Sequence, residues 1–263
     1  MRFMSRYREL SRRMAVIELG KAGLAVVVLG AACSTDDQSP AETTSSTQLP
    51  TSTSTSRSIA STTTTPTSGT DFKRVNLDFV SAYILYRAGE AVLVDTGVAG
   101  STGSIALALT EINLGWNAVG QVILTHKHPD HIGSVAEVIG QAGGASVFAG
   151  AADIPAIDVA VPVTAVGNGD RVFDLDIIES PGHTAGHISV LDSISGILVA
   201  GDALNGQDGG VVGANPSFSE DMGAADSTVS KLAEFDYEVA LFGHGEPLLD
   251  GASAAVGELA ASL

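Results

Sequence analysis

From Val80 onward the chain is a succession of short apolar runs punctuated by Gly, Asp, Asn and Pro, and the spacing of those runs predicts its elements. Val80 to Tyr86 and Ala91 to Val94 read as two strands joined by the turn Arg87 to Glu90, with Asp95-Thr96-Gly97 closing the second. Ser101 to Leu114 has the apolar face of a helix, and Gln121 to Leu124 reads as a short buried strand. His131 to Ala142 follows as a helix, with Pro129 and Asp130 at its start, where a proline and an acidic residue are both favourable. Ser146 to Phe148, Arg171 to Ile178, Ile188 to Leu191, Gly196 to Val199 and Val239 to Phe242 are further strands, while Ser219 to Glu234 and Gly251 to Ser262 have helical patterns. Strands dominate with helices at intervals, so two sheets covered outside by helices is the economical layering.

This pattern does not extend to the N-terminus, where composition divides the chain into three parts. Residues 1–33 read as a signal peptide. Five arginines between Arg2 and Arg13 precede an apolar run from Ala22 to Ala32 that is too short to span a bilayer. The run ends in Leu29-Gly30-Ala31-Ala32-Cys33, which resembles a bacterial lipobox whose cysteine would be lipidated. Ser11-Arg12-Arg13 resembles part of a twin-arginine export signal, with Ala15 and Val16 departing from that pattern, so twin-arginine and general secretion both stay open. Residues 34–70 read as a linker, since 20 of the 28 residues from Thr43 to Thr70 are Ser or Thr and offer almost nothing to bury. Residues 71–263 form the folded domain, long enough for a sizeable core. The expected location is therefore outside the cytoplasm, at the cell surface or the periplasmic face of the membrane, with Cys33 as the sole lipid anchor.

Cys33 is the only cysteine, so the folded domain has neither a disulfide nor a thiolate ligand. Without the leader's basic residues the chain carries 7 Lys and Arg against 28 Asp and Glu. A surface this acidic repels polyanions and excludes nucleic acid as a partner. A small-molecule substrate is expected instead; oligomeric state is not legible.

All six histidines fall in three short motifs: Thr125-His126-Lys127-His128-Pro129-Asp130-His131, Pro181-Gly182-His183-Thr184-Ala185-Gly186-His187 and Gly243-His244-Gly245. Histidines at i and i+2 on a loop leaving a strand can turn two imidazoles to one metal, while Asp130 and His131 on the following turn face a second. His-x-His-x-Asp-His is far more specific than a lone histidine pair. These motifs resemble the metallo-β-lactamase superfamily, whose α/β fold is an αβ/βα sandwich of two mixed β-sheets flanked by helices. The resemblance covers Asp71 to Leu263. It implies that His126, His128 and His183 hold a first metal and Asp130, His131 and His244 a second, with Asp202 in Val199-Ala200-Gly201-Asp202 bridging them. Asp95 and His187 are then supporting groups rather than ligands, since ligand imidazoles need partners on their other nitrogen.

The resemblance further implies two divalent ions per chain, zinc first, with manganese and iron as alternatives, sharing a hydroxide that Asp130 orients. Hydrolysis of an ester, lactone or thioester is the expected reaction. The bridging position of Asp202 and the missing cysteine resemble the glyoxalase II and lactonase branch. The tyrosine that many lactonases carry three residues after that Asp is Asn205 here. Alternatives are a mononuclear-iron persulfide dioxygenase, a β-lactam or phosphodiester hydrolase, and a noncatalytic binding protein. Leu204 to Ser217 reads as a flexible loop beside the site.

Overall fold

The computed structural model describes residues 69–263. The signal peptide, Cys33 and nearly all of the linker assignment lie outside the described residues. Among those described, no helix is long and apolar enough to cross a membrane.

The first sheet contains β1 (Asp71–Leu77), β2 (Val80–Arg87), β3 (Glu90–Val94), β4 (Val119–Leu124), β5 (Ser146–Gly150) and β6 (Val163–Val166), adjacent in that order. β1 to β3 pair antiparallel and β3 to β6 pair parallel. The second sheet contains β7 (Arg171–Val172), β8 (Leu175–Glu179), β9 (Ile188–Asp192), β10 (Ile197–Gly201) and β13 (Val239–Phe242), in the spatial order β13-β10-β9-β8-β7. β10 runs parallel to β13, and its pairing with β9 is antiparallel. Both sheets are therefore mixed. A separate hairpin joins β11 (Leu204–Gln207) to β12 (Gly210–Gly213).

Side-chain alternation explains why the central strands are apolar without a break. Ala91 and Leu93 of β3 enter a core shared with helices α1 (Thr102–Glu111) and α3 (Val135–Ala142), whereas Val92 and Val94 enter a core between the two sheets. In the second sheet, Ile197 and Val199 of β10 face that central core. Leu198 and Ala200 pack instead with residues of α4 (Met222–Leu232) and α5 (Ala252–Ala261). A strand covered on both faces has no polar side to display. The result is four layers, helix, sheet, sheet and helix, as expected.

Several predicted elements change in the structure. The helix expected over His131 to Ala142 is divided into α2 (Pro129–Ile132) and α3. Gly133 lies between them against the loop after β3, where a Cβ would come within 2.5 Å of the Ala99 nitrogen. The strand expected over Arg171 to Ile178 is a hairpin that turns at Phe173 and Asp174, both at positive φ. β1 and β6 were not predicted: they are the edges of the first sheet, and only Val75 and Val166 of their residues are buried. The supposed flexible loop after Asp202 begins instead with the β11–β12 hairpin, which turns at Asp208-Gly209, both at positive φ. Asp-Gly is the sequence signal that fits such a turn.

Thr70 is buried and donates from its nitrogen to Asp192 Oδ2, while Ser195 Oγ donates to the Thr70 carbonyl. The last residue of the expected linker is thus fastened to the β9–β10 turn rather than left unburied. The other end of β9 approaches the histidine loops, where the Ile188 nitrogen donates to the Thr125 carbonyl.

Candidate metal centre

The candidate residues gather at one end of the two sheets. Asp95 follows β3, His126 and His128 follow β4, Asp202 follows β10 and His244 follows β13, each just beyond the C-terminal end of its strand. His183 comes from the β8–β9 connection, and Asp130 and His131 from α2. Because the two sheets pack face to face, these separate strand ends converge.

Their donor atoms form two adjoining groups. His126 Nε2 lies 3.1 Å from His128 Nδ1, which lies 2.9 Å from His183 Nε2. In the second group His244 Nε2 lies 3.4 Å from Asp130 Oδ2, and His131 Nε2 lies 3.8 Å from the same oxygen. Asp202 stands between the groups: Oδ1 is 3.3 Å from His131 Nε2, and Oδ2 is 3.4 Å from His183 Nε2 and 3.2 Å from His244 Nε2. All seven residues singled out as ligands are brought together.

The surrounding hydrogen bonds turn imidazole lone pairs inward. The Thr125 hydroxyl donates to Asp95 Oδ2, so its oxygen accepts the Nδ1 proton of His126. His131 Nδ1 meets the same Asp95 oxygen at 2.8 Å. Ser219 Oγ donates to the Asn215 carbonyl and can accept from His183 Nδ1, while His244 Nδ1 donates to the Phe79 carbonyl. Such outer partners fix tautomer and ring orientation around a metal. The inner atoms show the complementary feature: His131 Nε2 and Asp202 Oδ1 are buried with no hydrogen-bond partner. Two unpaired acceptors aimed at one another are costly unless a cation lies between them, so the donor set fits divalent metal ions.

The electrostatics agree with that fit. Burial, followed by repulsion from neighbouring imidazoles, holds His126 well below its ordinary pKa and keeps it neutral, as a metal ligand must be. Contacts with Asp130 and then Asp202 push His244 up to about 10. Asp130 is held low, chiefly by His244. Burial alone would raise Asp202, but His131 and His244 overcome it and keep its carboxylate ionised. A field that favours a proton on His244 also favours a metal cation beside it.

Asp95 and His187 occupy supporting positions. Asp95 accepts from the Thr125 nitrogen as well as from Thr125 Oγ1 and His131, and so braces candidate ligands of both groups. His187 accepts from the Asp202 nitrogen through Nε2, and its Nδ1 donates to Ser180 Oγ. Ser180 continues to Ser189 Oγ, which donates to the Ala200 carbonyl. With both nitrogens engaged, His187 orients Asp202 through its backbone. Burial pushes its pKa down to about 3, preserving the acceptor nitrogen. Exchange of His187 for alanine is therefore expected to retain full metal stoichiometry while costing roughly 10- to 100-fold in activity. His128→Ala is expected to lose metal and turnover together; equal metal loss from both variants would make His187 a ligand.

Asp153 is a site residue that the motifs did not reveal. Fully buried, it accepts from the Lys127 nitrogen and Thr184 Oγ1 through Oδ2, and from the Gly186 nitrogen through Oδ1. One carboxylate thereby joins the loop carrying His126 and His128 to the loop carrying His183. Nothing local in Ala151-Ala152-Asp153 marks it, because all three partners are remote in sequence. Asn205, at the position after the bridging carboxylate noted above, donates from Nδ2 to the Gly213 carbonyl and is committed to the hairpin.

A sequence model described as the Metallo-beta-lactamase superfamily matches residues 75–244, well over half of the chain and every candidate ligand. The chain belongs to the metallo-β-lactamase superfamily. A hydroxyacylglutathione hydrolase from Cereibacter sphaeroides is 38% identical over 132 residues, covering 47% of each chain, so this chain spans about half the length of that curated relative. A metallo-β-lactamase family protein from Thermus thermophilus has the same fold, with a TM-score of 0.59 at 24% identity over 74% of this chain and 79% of that one. A protein solved in a di-iron-bound form gives a TM-score of 0.54 at 24% identity, covering 69% of this chain and 92% of its own. The matched region contains both donor groups around Asp202, the candidate metal centre.

Proposed function

We propose that this superfamily member is a dinuclear metallohydrolase that cleaves an ester, lactone or thioester bond. The carrying observation is Asp202, a buried carboxylate with its two oxygens turned to different donor groups and one of them without a partner. Two divalent ions bound there would make a water nucleophilic at neutral pH and polarise a carbonyl. Zinc is the first choice, and the histidine and carboxylate donors also accommodate manganese or iron. The chain's own residues would supply the arrangement: Asp130 at the rim orients the attacking water, and Asp95 and His187 hold the inner shell. Similarity to hydroxyacylglutathione hydrolases supports a thioester within the proposed range.

The test is metal analysis of the full-length chain followed by a screen of lactones, thioesters, aryl esters, β-lactams and phosphodiesters. Two metals per chain and turnover of a carboxylic ester, lactone or thioester are expected. Fewer than two metals, with no activity after reconstitution with zinc, manganese or iron, would reject the proposal. Oxygen uptake with a single iron would replace hydrolysis by dioxygenation.

We also infer export as a lipoprotein, on the charged, apolar and lipobox-like sequence ending at Cys33. Cys33→Ser is expected to move the chain from the membrane fraction to the soluble fraction; unchanged membrane retention would contradict lipid attachment at that residue.

A further inference from the structure

Phe79 combines three features, one of which the metal centre does not require. Together with Asp78 it forms the two-residue turn between β1 and β2, with Asp78 at a φ of 76°. Its carbonyl accepts from His244 Nδ1, and its ring lies 6.2 Å from the His244 ring at an interplanar angle of 11°. Yet the residue is 60% exposed. A tight hairpin thus holds a large apolar surface in water beside a candidate metal ligand. The backbone contact to His244 accounts for the carbonyl and leaves the exposed ring unexplained.

The charges around the same site point in one direction. Residues 69–263 contain six Lys and Arg against 25 Asp and Glu. All six cations are engaged, five in ion pairs and Lys231 with the Glu179 carbonyl and Asn168. Lys127, the cation within the first histidine motif, meets Glu220 at 2.7 Å and Asp153 at 3.6 Å. Arg74 meets Glu246 at 2.7 Å and the Gly245 carbonyl, beside His244. Bound metal ions would attract the reacting carbonyl. An anionic group elsewhere on the substrate would find its potential cations already neutralised and would enter the field of an acidic domain.

We propose that the substrate carries an apolar portion gripped by Phe79 and no anionic group. This rests on the hydrolase reading and narrows it away from glutathione thioesters, whose carboxylates would need cations. The direct test compares two inert thioethers of one skeleton, S-hexylglutathione and its uncharged N-acetyl bis(methylamide), binding to the full-length chain reconstituted with zinc. The uncharged compound is expected to bind at least about tenfold tighter at low ionic strength, with the gap narrowing as salt rises. Phe79→Ala is expected to weaken it by about tenfold, Phe79→Leu to restore most of that loss, and Ile194→Ala, at the β9–β10 turn, to have no effect.

Equal or tighter binding of S-hexylglutathione, or unaltered binding by Phe79→Ala, would overturn the proposal. Failure of the hydrolase reading is separately visible, since the preference between inert compounds would persist while the corresponding hexanoyl thioesters, esters and lactones remained uncleaved.

Discussion

Replacing Asp202 by alanine is expected to reduce turnover by roughly a hundred- to a thousandfold and to lower metal content from two ions towards one. The expectation follows from placement: Oδ1 faces His131, while Oδ2 faces both His183 and His244. Removing the carboxylate takes away the negative charge that would lie between the two proposed dications and leaves a buried ring of imidazoles facing one another. Asp202→Asn keeps the volume without the charge, so it separates the two contributions. Metal analysis after desalting, together with kcat, reads the result. Two retained ions with ordinary turnover in Asp202→Ala would show that Asp202 does not bridge the groups.

A single methyl group at position 243 is expected to do comparable damage. A Cβ built there falls 2.0 Å from Asp202 Oδ1 and 2.6 Å from His131 Cε1, inside the space shared by the donor groups. The backbone has little freedom to retreat, because the Gly243 carbonyl accepts from the Ser81 nitrogen and its own nitrogen donates to the Gly201 carbonyl. Packed interiors transmit such a displacement rather than absorb it. Gly243→Ala is therefore expected to lose the second metal and about a hundredfold in kcat, with the overpacking costing about 1–3 kcal/mol of stability. Denaturant unfolding and metal titration on one preparation distinguish the site defect from a failure to fold. Unchanged affinity at both positions would mean that the site widens without penalty.

These two residues differ in how much of their role local sequence discloses. Asp202 was legible through the family resemblance, supported by its place at the end of an apolar strand between the second and third histidine motifs. Gly243 was legible only as a neighbour of His244, since the need for an absent side chain arises from Asp202 and His131 in other parts of the sequence. A similar division holds for the fold. The central strands announce themselves through uninterrupted apolar residues, whereas β1 and β6 bury too little to leave such a pattern. The β11–β12 hairpin had an Asp-Gly turn signal, but its polar first strand, Leu-Asn-Gly-Gln, resembles a loop.

By itself, the sequence determined the layer order, the three histidine motifs and the chemical type of each candidate ligand, because these depend on local periodicity and side-chain identity. Only tertiary structure decided that Asp153 ties two histidine loops together, that His187 uses both nitrogens in support of Asp202, and that Phe79 lies exposed beside His244. Those roles depend on distances between segments tens of residues apart. Such distances are set by the packing of one sheet against the other, which no local pattern records.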